Sequence, residues 1–139
     1  MTLRVLLDGA IAGILTTVTG YWITGRLFHA YQARTPNTWR STESWTSYLA
    51  STGLRLFACI AIAGLYGALD IGTSAFGRAT IPSGAIFGVA LWAITAVPVI
   101  LEAALFVNWH RGFVIGLLLD WLIVFVLAGV AGVAALRVV

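Results

Sequence analysis

Four long apolar stretches, residues 3–28, 49–69, 81–107 and 113–136, run along this chain with three more polar segments between them. Crossing a bilayer as a helix takes roughly 20 mostly apolar residues, and each stretch reaches that length. None shows the alternation of a half-buried strand, and runs this long satisfy their backbone in lipid only as helices. The first connection, 29–48, carries Pro36, Asn37 and a cluster of Ser and Thr; the second, 70–80, carries Gly72 and Gly77. The third, 108–112, is so short that the helices on either side must form an antiparallel hairpin. The pattern predicts an all-α integral membrane four-helix bundle built from two antiparallel hairpins, a single transmembrane domain over residues 1–139.

Composition removes the alternatives. Of the 139 residues 60% are hydrophobic and 9% charged, with a mean hydropathy of +0.98, whereas soluble domains carry about 25% charged residues. A chain this short cannot bury so much apolar surface by itself, which excludes a soluble globule and equally a disordered or fibrous chain. All eight basic residues are Arg; the acids are Asp8, Glu43, Asp70, Glu102 and Asp120. At the edges of membrane spans such arginines touch lipid headgroups, so no nucleic-acid partner is expected. Asp8 interrupts the first apolar run, and Ala10-Ile11-Ala12 comes too early for a cleavage site, so the segment reads as a retained helix rather than a signal peptide. Cys59, the lone cysteine, stands in an apolar run and has no internal disulfide partner.

Aromatics and arginines sort by membrane side. Trp22, Tyr31, Trp39, Trp45, Tyr48 and Trp109 gather at one set of helix ends, as interfacial belts do, and Phe76 is the aromatic of the opposite loop. The belt side carries Arg26, Arg34, Arg40 and Arg111; the other carries Arg4, Arg78 and Arg137. This bias points the belt side to the cytoplasm and both termini outside. The expected location is the cell inner membrane, multi-pass, with the lipid bilayer as the first partner.

The first and third stretches share a step of small residues, Gly9-Ala10-Ile11-Ala12-Gly13 and Gly84-Ala85-Ile86-Phe87-Gly88. Such steps let helix backbones approach closely in lipid. The small face of helix one runs on through Thr17, Gly20 and Thr24 and reads as a packing seam. Together with Gly20-Tyr21-Trp22-Ile23-Thr24-Gly25-Arg26-Leu27-Phe28, the Gly84 to Trp92 run and a Gly-rich last helix, this layout resembles an uncharacterised, domain-of-unknown-function family of small four-helix bacterial integral membrane proteins. The resemblance implies fold and envelope location and carries no activity with it.

Ionisable residues inside spans cost roughly 2.5 to 3.5 kcal/mol or more at the bilayer centre and so mark candidate sites. Three qualify: Arg55, Glu102 and Asp120. Counting from the belt-side ends, Glu102 lies about 9 Å inside Asn108, Asp120 about 12 Å inside Gly112, Arg55 about 9 Å inside Leu49 and Tyr21 about 10 Å inside Phe28. That spacing predicts one layer drawn from four helices. Glu102 shares a helical face with Gly88, Trp92 and Thr95, Asp120 with Gly116, and Arg55 with Thr52, Cys59, Ile62 and Tyr66. Pro98, one turn before Glu102, removes a donor and is expected to bend its helix. In a structural reading Arg55 neutralises one carboxylate and the other is protonated or held by Tyr21 or Thr24. In a functional reading the second acid relays protons, binds a cation or acts as a general acid.

Two functions follow. The first is a non-enzymatic membrane protein, an accessory subunit or small oligomeric carrier using the Arg55/Glu102/Asp120 layer, assembled as a homo-oligomer or in a larger membrane complex. The second is a small intramembrane enzyme acting on a hydrophobic small molecule, an isoprenoid or lipid. In it Glu102 and Asp120 serve as acid and base, Arg55 holds one ionised, and Tyr21, Trp22, Trp92 and Tyr66 are the candidate binding residues. Neither needs a cofactor or metal: His29 and His110 lie at helix ends rather than facing positions, and no zinc spacing, P-loop, nucleophile elbow or dinucleotide fingerprint is present. Trp39 and Arg40 in the first loop read as interfacial anchors or a partner contact, and Asp8 and Asp70 as caps or surface groups near the opposite interface.

Overall fold

The computed structural model describes residues 3–32, 34, 45–69 and 79–136. Trp39, Arg40, Asp70, Phe76, Arg78 and Arg137, which entered the readings of anchors, caps and orientation, lie outside the described residues. The elements are α1 (Leu3–Trp22), continued by a π-helical turn at Ile23–Leu27, a short α2 (His29–Gln32), α3 (Trp45–Ala68), α4 (Ile81–Leu91), a second π turn at Trp92–Ala96, α5 (Val97–Phe106) and α6 (Arg111–Leu136). Four helical segments, Leu3–Leu27, Trp45–Ala68, Ile81–Leu105 and Arg111–Leu136, are long and apolar enough to cross a membrane. The protein is an all-α, membrane-spanning four-helix bundle, and no strand occurs among the described residues.

Helix α3 begins four residues before the apolar run does. Trp45, Thr46, Ser47 and Tyr48 form its first turn although two of them are polar and both aromatics are exposed. Backbone hydrogen bonding carries a helix past the edge of its apolar stretch, and Trp and Tyr suit the interface there. At the start of α4, Thr80 and Ser83 form a reciprocal cap: Thr80 Oγ1 accepts from the Ser83 N–H at 3.2 Å and Ser83 Oγ from the Thr80 N–H at 2.9 Å. The third span is interrupted where Pro98 requires it. Proline has no N–H and its ring clashes with the carbonyl four residues back. A turn of π helix before it widens the ladder, with the Val97 N–H donating to the Trp92 carbonyl. Thr95 Oγ1 donates back to the Leu91 carbonyl at 2.6 Å within the same turn.

Packing is centred on α6, which contacts α1, α3 and α4, while α1 also packs along α3. The two hairpins use the same seam. On α1, a Cβ at Gly9 would come within 2.7 Å of the Ile60 Cα and one at Gly13 within 2.8 Å of the Leu56 Cα, so α3 rides directly on the α1 backbone. On α4, Gly84 meets the carbonyl of Gly129, and Gly88 meets the backbone of Phe125 and Val126. Both small-residue steps thus seat the returning helix of their own hairpin, antiparallel, as close approach in lipid demands. Where the hairpins meet, Cys59, Ala63 and Tyr66 of α3 and Val124, Ala128 and Val133 of α6 are buried together.

Candidate functional site

Three rungs of one ladder bring the first and last spans together at the belt end. Along α6, Gly112, Gly116 and Asp120 are spaced four apart on one face. Against them stand Tyr31, Phe28 and Thr24 in that order: a Cβ at Gly112 would come within 2.7 Å of the Tyr31 ring, and one at Gly116 within 2.5 Å of the Phe28 ring. The π turn at Ile23–Leu27, closed by the Phe28 N–H donating to the Ile23 carbonyl at 2.9 Å, lies within this ladder. Tyr31 also stacks on His110, with ring centroids 4.8 Å apart. The histidine accordingly sits in an aromatic corner at the bundle end.

At the third rung sits the charge. Asp120 is 2% exposed and Arg55 of α3 15%. Arg55 grips the carboxylate with both terminal nitrogens: Nη1 donates to Oδ1 at 3.0 Å and Nη2 to Oδ2. Thr24 Oγ1 donates to Oδ2 at 3.3 Å, and Arg55 Nη1 also donates to the Thr16 carbonyl at 3.1 Å. Two-point Arg–carboxylate contact is the strong form of this interaction. Space for the guanidinium comes from Gly20, where a Cβ would stand 2.6 Å from Nη1 and 2.8 Å from Cζ. The Trp121 ring centroid lies 5.9 Å from Cζ. One buried ion pair therefore ties α1, α3 and α6 together, across both hairpins.

Of the residues expected in the layer, Arg55 and Asp120 meet, and the carboxylate is shared with Thr24 rather than Tyr21. Glu102 stands elsewhere: it is exposed on α5, and among the described residues no hydrogen bond or ion pair joins it to Arg55 or Asp120. The depth count set these residues level and the phase of a straight helix put Glu102 on the face of Gly88, but the π turn at Trp92–Ala96 shifts that phase, and Gly88 is buried while Glu102 is exposed. Tyr21 is 61% exposed, and Trp22 is exposed with the Arg26 Cζ 4.9 Å from its ring centroid. Trp92 donates from Nε1 to the Leu118 carbonyl at 3.0 Å. Tyr66 is fully buried, its hydroxyl 3.0 Å from Ser83 Oγ and its ring edge-on to Phe87. Asp8 is half-buried in the second turn of α1, past the N-terminal positions where a cap would act.

Beside the pair is a half-open cleft of about 480 Å³ between α3 and α6. Its polar lining residues are Thr24, Ser51, Arg55 and Asp120; Leu54, Phe57, Ala58, Phe113, Leu117 and Trp121 are the apolar ones. None of Tyr21, Trp22, Trp92 and Tyr66 lines it. Sequence reasoning missed Trp121, although an aromatic residue directly after an intramembrane acid was a usable signal. It also missed Gly20, read as seam alone, and Thr16, whose backbone carbonyl does the work and leaves no trace in residue type. Among the described residues no cluster of His, Cys, Asp and Glu is arranged to hold a metal. Compared with family models, curated proteins and solved structures, the chain matches none.

Proposed function

We infer that this is a non-enzymatic membrane protein, an accessory subunit or small oligomeric carrier, whose working part is the Arg55–Asp120 pair. The observation that carries the reading is the saturation of Asp120, with Arg55 on both oxygens and Thr24 on one. Acid–base chemistry by two carboxylates needs both within reach of one reacting bond. Asp120 is enclosed among α1, α3 and α6 while Glu102 is exposed on α5, an arrangement that favours binding over turnover. An acid on the outer face of an apolar span is costly against lipid. Glu102 is therefore assigned to contact with a neighbouring chain, in a homo-oligomer or a larger membrane complex of the bacterial inner membrane. Native mass spectrometry from nanodiscs tests this. The expected result is an oligomer that Glu102→Leu reduces to monomer without lowering the melting temperature. A wild-type monomer with no co-purifying partner would overturn it.

The enzyme reading is favoured by one feature, the cleft beside Asp120, whose roughly 480 Å³ exceeds the lower size of small-molecule sites. In that reading Asp120 and Glu102 act as acid and base on an isoprenoid or lipid, with Arg55 holding one ionised. Turnover of such a substrate, lost in both Glu102→Gln and Asp120→Asn, would move the conclusion to it.

A further inference from the structure

The Arg55 guanidinium has five N–H donors, and three are spent. One from each terminal nitrogen goes to Asp120, and the second on Nη1 goes to the Thr16 carbonyl. The Nε–H and the remaining Nη2–H share one edge of the group, and neither makes a hydrogen bond among the described residues. Among the described residues no side-chain nitrogen is both buried and unpartnered, so Nε is reachable from outside. Arg55 is itself one of the residues that line the cleft. Gly20 lies against Nη1, Cζ and Nη2 and Asp120 against the Nη1/Nη2 edge, so the Nε/Nη2 edge is the one left for an acceptor.

The chemistry of that acceptor is constrained. Arg55 and Asp120 already cancel, and a second anion beside Asp120 would leave a net negative charge in an apolar site. The acceptor is therefore uncharged, and a carbonyl oxygen fits two converging N–H groups. The remaining walls include three aromatic rings, Phe57, Phe113 and Trp121, which suit a flat conjugated ring better than the flexible ester of a glycerolipid. Leu54 and Phe57, 66% and 71% exposed, place the mouth on the outer, bilayer-facing side of α3, so the ligand arrives from the membrane. About 480 Å³ holds a ring and the start of a tail, not a whole two-chain lipid. We propose that this cleft binds a membrane-soluble quinone, with a ring carbonyl on the Nε/Nη2 edge of Arg55, the ring beside Trp121 and an isoprenoid tail leaving past Leu54 and Phe57.

The proposal gives the carrier reading its cargo and rests on the ion pair being that reading's working part. The test titrates a decyl-tailed benzoquinone into the protein in phosphatidylcholine nanodiscs and counts adducts by native mass spectrometry against protein-free discs. One saturable site per chain is expected. Ala58 is a half-buried lining residue of the cleft, and Ala58→Trp, which puts an indole into that space, should abolish the adduct at unchanged melting temperature. Arg55→Lys, which faces Asp120 but lacks the second edge, should weaken binding at least tenfold. Equal binding by the Ala58→Trp protein, or no uptake above that of the protein-free discs, overturns the proposal. So does a diacylglycerol adduct that Ala58→Trp removes while the quinone gives none. A quinone failure with Glu102-dependent assembly intact removes the ligand and leaves the subunit reading; loss of that assembly with quinone binding intact does the reverse.

Discussion

At the scale of single residues, Asp120 is the most consequential side chain in the protein, because its charge sits at a depth where nothing but protein can answer it. Three donors answer it, one from the π turn that continues α1 and two from α3. They are not equivalent. Thr24 contributes one hydrogen bond at 3.3 Å to an oxygen that Arg55 also holds, so Thr24→Val is expected to cost about 1 kcal/mol in detergent unfolding. A cost above about 3 kcal/mol would mean that Thr24 rather than Arg55 carries the carboxylate. Gly20 works by having no side chain: Gly20→Leu would drive atoms into the guanidinium and is expected to lower the melting temperature much as loss of the pair does. Stability equal to wild type would show that Arg55 can sit elsewhere. The sequence made Arg55 and Asp120 visible, since charges in apolar runs stand out. It could not show Gly20 as a floor, because a glycine under an arginine looks the same in sequence as one under a helix.

At the scale of elements, the small-residue steps decide which helices touch. Gly13 admits the Leu56 backbone at a distance no Cβ tolerates, whereas Ile14, one residue on, is exposed. Gly13→Leu should therefore destabilise the α1–α3 pairing sharply, while Ile14→Leu, equal in volume, should be neutral in the same melting measurement. Equal behaviour of the two would remove the packing account. These steps were legible as seams, and the structure supplies what each one faces. The third span shows the opposite case. Its length and its proline were plain in the sequence, but depth and phase counted along a straight helix put Glu102 in the charged layer. Both counts assume an unbroken α-helix, and a π turn rotates everything beyond it. The π turn before Pro98 and the sparse packing of α5 on α6 turn it away.

At the scale of the whole molecule, four spans in series fix an up-down-up-down path, and this much was legible from the apolar pattern alone. In a Cys59→Ala background, cysteines at Arg34 and Arg111 are expected to react with a membrane-impermeant maleimide from the same side, and one at Leu69 from the other. Labelling of Arg34 and Arg111 from opposite sides would refute the four-span path. What the apolar pattern could not give is how the two hairpins are fastened, since their shared core is pinned by a polar contact between residues 65 positions apart. The central claim is that the Arg55–Asp120 pair fastens them. A double-mutant cycle in detergent or nanodiscs measures this directly, using Arg55→Leu, Asp120→Leu and both together. Each single change strands a buried charge and is expected to cost about 3 to 5 kcal/mol, whereas the double variant, with no charge left to strand, should recover most of that loss. Small and additive effects of the two changes would contradict the account.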